Sequence, residues 1–248
     1  MLKLNKNVGH TLRANKAVNV LGSDFVLTGG FSELVRFTKS WETMGPDNYY
    51  GQADRGARYR SYSDFEYDPA SETLTRLEHR AYEQSPEHNR YVGGMVRHFD
   101  DVSAEIFNSA VLQALVKLDF EVYKEVLPEA LHSKIWQCQI HQIRIEINPG
   151  AEIEITPEGI HCDGYPFSAV HFWGRENVEG AMSQVFTKEE KLIDSGTYRN
   201  ILDTTFFLDR ELLHYVTTAF NPTKDQIGYR QIIAISFSRP GTDYDIIK

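Results

Sequence analysis

His161 and Asp163 stand two positions apart in Ile160-His161-Cys162-Asp163-Gly164-Tyr165-Pro166. Side chains of an extended backbone alternate between faces, so residues two apart project to the same side. An imidazole and a carboxylate on one face supply two corners of a 2-His-1-carboxylate site. Such a site leaves three positions open on Fe(II) for a co-substrate and dioxygen. The candidate third ligand is His214, in Leu212-Leu213-His214-Tyr215-Val216. Further on, Arg230 lies in Gly228-Tyr229-Arg230-Gln231-Ile232-Ile233. A guanidinium there could hold the distal carboxylate of 2-oxoglutarate by a bidentate pair.

A His-x-Asp tripeptide is common by chance, and the pattern gains weight only from the later His and Arg. The chain has nine histidines, and His141 and His171 are the rival ligands. Each reads more simply as a hydrogen-bonded core residue. Cys162, between the two first ligands, points to the opposite strand face and reads as core. Zinc hydrolysis would use similar ligands, but the chain has no His-Glu-x-x-His and no Cys-x-x-Cys. Arg58 and Arg60 alternate with Tyr59 and Ser61, so one strand face carries two guanidiniums. Either it is a solvated edge or it clamps a carboxylate. A second basic patch, Gly93-Gly94-Met95-Val96-Arg97-His98, contributes Arg97.

The elements that must position these residues follow from hydrophobic periodicity. Residues 7–21 are expected to be helical, 23–30 a short strand, and a second helix opens with Ser32 as N-cap. Pro69 to Asn89 reads as loop, with a strand near Leu74–Leu77. Val111, Leu112, Leu115, Leu118, Val122 and Val126 recur at three and four, which predicts an amphipathic helix over 109–127. Ile135–Ile147 is the clearest strand, closed by Asn148-Pro149-Gly150. Ile143, Ile145 and Ile147 share one face, while Gln142, Arg144 and Glu146 share the other and are expected to line a polar cavity or meet water. Further strands are expected at Ser168–Trp173, Ala181–Phe186, Thr204–Leu208, His214–Thr218 and Tyr229–Ser238. Many short strands with helices gathered N-terminally imply a mainly β (α+β) fold, a double-sheet jelly roll with N-terminal buttressing helices.

Composition sets outer bounds. A chain of 248 residues with 41% hydrophobic and 12% aromatic content can bury one large core, so a single domain over 1–248 is expected. Within it, about 1–130 would form a helical and strand flank and about 131–240 the jelly-roll core. A net charge of −9 argues against a nucleic-acid surface. Two cysteines make no disulfide framework and imply a reducing compartment. With no apolar signal core and no run near the roughly 18 residues a membrane span needs, a soluble cytoplasmic protein is expected. A homo-oligomer remains open.

The chain also resembles the bacterial Fe(II)/2-oxoglutarate dioxygenases of the L-isoleucine 4-hydroxylase type, which act on free amino acids. The resemblance covers most of the chain beyond about residue 50. It rests on Arg58-Tyr59-Arg60-Ser61-Tyr62-Ser63, the Gly93–Phe99 patch, His141-Gln142-Ile143-Arg144, His161-Cys162-Asp163, Leu213-His214 and Tyr229-Arg230-Gln231-Ile232. It implies a double-stranded β-helix, a cupin-like jelly-roll variant. It implies His161, Asp163 and His214 on iron, Arg230 on the 2-oxoglutarate C5 carboxylate, and Fe(II), 2-oxoglutarate and O2 as the reaction's cofactors. The implied reaction is oxidation, in the first instance hydroxylation, of a free aliphatic amino acid such as isoleucine, leucine or methionine, releasing succinate and CO2. Gln142 and Arg144 are candidate contacts to co-substrate or substrate. Arg58, Arg60 and Arg97 are candidates for the substrate carboxylate, with Asp54 or Asp100 for its ammonium. Departures from the family pattern are an acidic insert, Asn148 to Gly159, and the aromatic pair Phe172-Trp173, both expected near the pocket, with Trp173 a candidate substrate contact. The rival functions are a dioxygenase acting on a protein or nucleic acid, and a non-catalytic jelly-roll binding module.

Overall fold

The computed structural model describes residues 2–50 and 52–247. The chain starts with β1 (Leu2–Leu4), α1 (Gly9–Asn15), β2 (Ala17–Val20), β3 (Phe25–Leu27) and α2 (Phe31–Lys39). The helix expected over 7–21 is shorter: Lys16 adopts a left-handed φ of 63°, which ends α1 and turns the chain into β2. α2 starts behind Gly30 at φ 75° rather than behind Ser32, because a glycine takes the left-handed entry without strain. There follow β4 (Gly56–Asp68), β5 (Thr73–Arg76), α3 (Ala104–Phe107) and α4 (Ala110–Lys124). In α4 the Ser109 hydroxyl accepts from the Val111 N–H at 3.1 Å, and the apolar stripe at three-and-four spacing is buried.

The remaining elements are β6 (Trp136–Ile147), β7 (Glu152–Ile153), β8 (Phe167–Glu176), β9 (Glu179–Gly180), β10 (Ser183–Phe186), β11 (Leu192–Gly196), β12 (Thr204–Phe207), β13 (Leu213–Val216), β14 (Ala219–Phe220) and β15 (Gly228–Ser238). Seven strands form one antiparallel sheet in the order β2-β12-β8-β15-β6-β4-β5. Two three-stranded antiparallel sheets, β11-β10-β13 and β7-β14-β9, complete the double-sheet arrangement. The fold is mainly β with few helices, as expected. Three strands of the large sheet (β2, β4 and β5) come from before residue 130, so the N-terminal stretch builds the sheet as well as buttressing it.

The large sheet has two faces of different use. Phe65, Trp136, Ile140, Ile233 and Phe237 pack against Leu112, Leu115, Phe120 and Tyr123 of α4. Each such buried apolar side chain contributes roughly 1.5–3 kcal/mol. On the same helix-covered side, Trp41 and Trp173 stack at 5.2 Å with Phe37 at their edge. The opposite face lies in register across three strands. Arg58 and Arg230 both stand opposite Ile145, Arg60 and Ile232 opposite Ile143, and Tyr62 and Ala234 opposite His141. That face lines a cavity. Among the described residues, no helix is long and apolar enough to cross a membrane.

Candidate active site

Backbone pairing brings the two distant histidines together. The His161 N–H donates to the His214 carbonyl at 3.1 Å, and the His214 N–H returns the bond at 2.7 Å. Their rings therefore lie side by side, with centroids 4.2 Å apart. Asp163 sits on the irregular segment that follows. The buried Asp209 carboxylate fixes that segment by accepting from the Asp163 N–H at 3.1 Å and the Tyr165 N–H at 2.8 Å. Asp163 Oδ1 lies 3.8 Å from His161 Nε2, and its Oδ2 lies 3.5 Å from His214 Nε2. One donor atom from each of the three residues lies within 4.8 Å of the others, close enough for one ion to gather after small side-chain adjustments.

The donor set fits a divalent metal. His161 Nδ1 donates to the Gly159 carbonyl at 2.9 Å, which leaves the Nε2 lone pair for a ligand role. His214 Nε2 is buried without a hydrogen-bond partner, although Asp209 Oδ1 stands 3.2 Å away. Burial alone would lower the His214 pKa, but the flanking carboxylates of Asp163 and Asp209 raise it to about 10. Burial pushes the Asp163 carboxyl up, and His214, His161 and Arg60 outweigh it, holding that carboxyl well below the usual range. The pocket is thus built to attract positive charge at this point. Gln84 Nε2 donates to Asp163 Oδ1 at 2.7 Å, and Arg97 Nη2 donates to Gln84 Oε1 at 2.7 Å, which orients the carboxylate.

A cavity of about 140 Å³ opens beside the triad. Arg58, Arg60 and Arg230 reach it from the large sheet, and Ile143, Val170, Val216 and Ile232 supply apolar wall. Arg230 is buried. Its pKa falls to about 10, first through burial and then through the nearby Arg175 and Arg58 charges. Arg60 is buried as well. It donates to His141 Nδ1 from Nε at 3.2 Å, and its Cζ lies over the Tyr82 and Phe99 rings at 4.9 and 4.8 Å. Burial and the Arg60 charge push the His141 pKa well down, so His141 serves as a neutral acceptor. Among the described residues, neither Arg60 nor Arg230 has a carboxylate within ion-pair distance. Arg58 donates to the Ile155 carbonyl and lies over the Tyr50 ring at 4.3 Å.

Of the residues singled out from the sequence, His161, Asp163, His214, Arg58, Arg60 and Arg230 therefore meet around one cavity. Arg97 does not line it; fully buried, it acts one layer back through Gln84. Gln142 and Arg144 depart from expectation. Strand alternation turns them to the other face, where Gln142 Nε2 donates to Ser40 Oγ at 2.8 Å and Arg144 pairs with Glu146 at 2.9 Å. Trp173 likewise faces the helices, its Nε1 donating to Thr38 Oγ1 at 2.9 Å, while its neighbour Phe172 turns toward Arg230. Asp54 and Asp100 are both exposed. His171 is a core histidine between Asp119 and Thr204, each at 2.9 Å, as its strand position suggested. Sequence reasoning missed Glu158, Gln84, Tyr82 and Asp209. Gln84 and Tyr82 lie in the polar stretch read as loop. Glu158 belongs to the acidic insert, whose Ile155 and Thr156 also line the cavity.

Comparison with known proteins agrees with this geometry. The sequence model of a family described as 2OG-Fe dioxygenase matches residues 38–236, which include the triad and all three cavity arginines. The bifunctional enzyme flvA of Aspergillus flavus is 24% identical over 197 residues, covering 71% of this chain and 24% of that protein. The chain thus spans about a quarter of the length of this curated relative. A bsmA homolog from Methylobium petroleophilum PM1 superposes with a TM-score of 0.79 at 23% identity, covering 94% of this chain and 92% of that one. IDO from Bacillus thuringiensis gives 0.75 at 17% identity, covering 94% of each chain. TqaL, an Fe(II)/α-ketoglutarate-dependent dioxygenase, gives 0.72 at 18%, with 97% and 88% covered. At such identities these structures share the fold. With the family match extending across most of its length, the chain belongs to the 2OG-Fe dioxygenase family, non-heme iron enzymes that use Fe(II), 2-oxoglutarate and O2.

Proposed function

We propose that this dioxygenase oxidises, by hydroxylation in the first instance, a free aliphatic L-amino acid such as isoleucine, leucine or methionine, releasing succinate and CO2. The observation that carries the reading is the pair of buried guanidiniums, Arg60 and Arg230, that meet no carboxylate of the protein. A buried guanidinium with no carboxylate in ion-pair contact is costly even where, as for Arg60, a neutral imidazole and aromatic faces support it, so each arginine offers a place for a ligand's anion. The co-substrate's distal carboxylate accounts for Arg230. That leaves Arg60, with Arg58 beside it, for the carboxylate of the substrate.

His161, Asp163 and His214 would hold the iron. Bound Fe(II) with 2-oxoglutarate and O2 supplies the oxidising power, and one oxygen atom is delivered to the substrate C–H bond. The chain's own part is placement. His141 and the Tyr82 and Phe99 rings hold Arg60 in one orientation, and so fix where a bound carboxylate lies. Ile143, Val170, Val216 and Ile232 then offer an apolar wall to an aliphatic side chain and keep water from it.

Succinate release screened across the twenty amino acids, with Fe(II), 2-oxoglutarate and ascorbate present, tests the reading. Release above the uncoupled background is expected with one or more aliphatic substrates, and Arg60→Ala is expected to raise KM steeply. A screen in which no free amino acid stimulates release would overturn it.

A further inference from the structure

Glu158 is a carboxylate that neither the triad nor the arginines account for. It lines the same cavity, its side chain is only 10% exposed, and its Oε2 is buried without a hydrogen-bond partner. Its Oε1 stands 3.6 Å from His161 Nε2. When His161 ligates a metal through Nε2, that nitrogen carries no proton for Glu158, and its Nδ1 proton is already committed to Gly159. Glu158 then faces the cavity as a buried carboxylate with no donor from the protein. Burial without a partner is disfavoured, so the loaded site must bring a cation to it.

Two cations are available: the metal itself, or a positive group on the substrate. The metal is the weaker choice. Three protein ligands would leave three positions, which 2-oxoglutarate and O2 would need between them, so a fourth protein ligand would compete with a reactant. We infer that Glu158 receives the α-ammonium of the substrate, so that Arg60 and Glu158 together read the two charged groups of an amino acid. The inference rests on the amino-acid reading above. It goes further in making this residue the one that separates amino acids from plain carboxylic acids. The turn that carries Glu158 holds it in place for this role. Gly159 at φ 81° and the Gly159 N–H to Thr156 carbonyl bond of 2.9 Å close a turn that holds Glu158 in the cavity lining beside His161. Arg58, which donates to the Ile155 carbonyl, anchors the same segment to the large sheet.

The test compares binding of L-isoleucine, L-leucine and L-methionine with that of 3-methylpentanoate, 4-methylpentanoate and 4-(methylthio)butanoate. Calorimetry is run on protein loaded with Mn(II) and 2-oxoglutarate, so no turnover is needed. In the wild type at least one amino acid is expected to bind tighter than its desamino partner. Glu158→Gln should weaken that amino acid by about ten- to a hundredfold and leave the desamino acid unchanged, the range for a lost charge-assisted hydrogen bond. Glu158→Asp, which keeps the charge, should retain part of the preference. An unchanged ratio, an equal loss for both ligands, or a fall in Mn(II) affinity in Glu158→Gln overturns the inference while leaving the amino-acid reading intact. Failure of wild-type protein to bind any of the three amino acids overturns both.

Discussion

Asp163 owes its orientation to two side chains, Gln84, which lines the cavity, and Arg97, which lies behind it. Gln84 presents its amide N–H₂ to Asp163 Oδ1 and its carbonyl to Arg97, each at 2.7 Å, and Arg97 is fully buried. Outer partners of this kind set both the direction and the basicity of a ligating carboxylate, and losing one costs about 10- to 100-fold in metal affinity or activity. Gln84→Leu is therefore expected to lower Mn(II) affinity within that range with the far-UV spectrum unchanged. Wild-type affinity in that variant would show that Asp209 alone orients the segment through the Asp163 and Tyr165 N–H groups. The contrast with the triad explains what a sequence can reveal. His161 and Asp163 declare themselves by type and close spacing, and His214 by lying in a strand-like run. Gln84 sits in a polar stretch with no periodicity, and its role exists only because the Tyr82–Arg97 backbone bridge folds that stretch over the site.

At the scale of elements, β6 shows why alternation alone could not choose the cavity face. Its helix-facing positions begin apolar with Trp136, Cys138 and Ile140 and end polar with Gln142 and Arg144, beyond the reach of α4. Its cavity-facing positions do the reverse, running from Gln139 and His141 to Ile143 and Ile145. A period of two was legible over the whole strand, but the identity of each side depends on which helices end where. β7, β9 and β14 were not legible, because strands of two residues carry no periodicity at all. Trp173 is the residue most affected. Its ring lies 4.7 Å from Phe37 and 5.2 Å from Trp41, whose own Nε1 donates to the Ile232 carbonyl at 3.2 Å and so ties the turn after α2 to β15. Trp173→Ala is expected to cost about 3–5 kcal/mol of unfolding free energy, as for other large buried aromatics. Urea unfolding measures that loss. Substrate KM in the variant should stay near wild type at a temperature where it is folded, and a KM effect without a stability loss would return Trp173 to the substrate's side.

For the whole molecule, the site is the place where separate sheets are held to one another. His161 follows β7, His214 lies in β13 of the other small sheet, and Arg230 and Arg60 stand on β15 and β4 of the large one. The His161–His214 backbone bridge ties the segment after β7 to β13 beside a cluster of charges, including the Asp163–His214 contact. Ligands that bind only the folded arrangement stabilise it by mass action, by about 2.7 kcal/mol at a hundredfold excess over Kd. For a chain of this size that corresponds to a rise of roughly 5–10 °C in Tm. Mn(II) alone and Mn(II) with 2-oxoglutarate are expected to raise the transition in two separable increments. His161→Ala should remove the metal increment and with it the second, since the co-substrate needs the ion as well as the arginine. Arg230→Ala should keep the first and lose most of the second. Scanning calorimetry distinguishes these patterns, and a 2-oxoglutarate increment of full size in Arg230→Ala would move the co-substrate's distal carboxylate to Arg58, which faces the same isoleucine from the neighbouring strand.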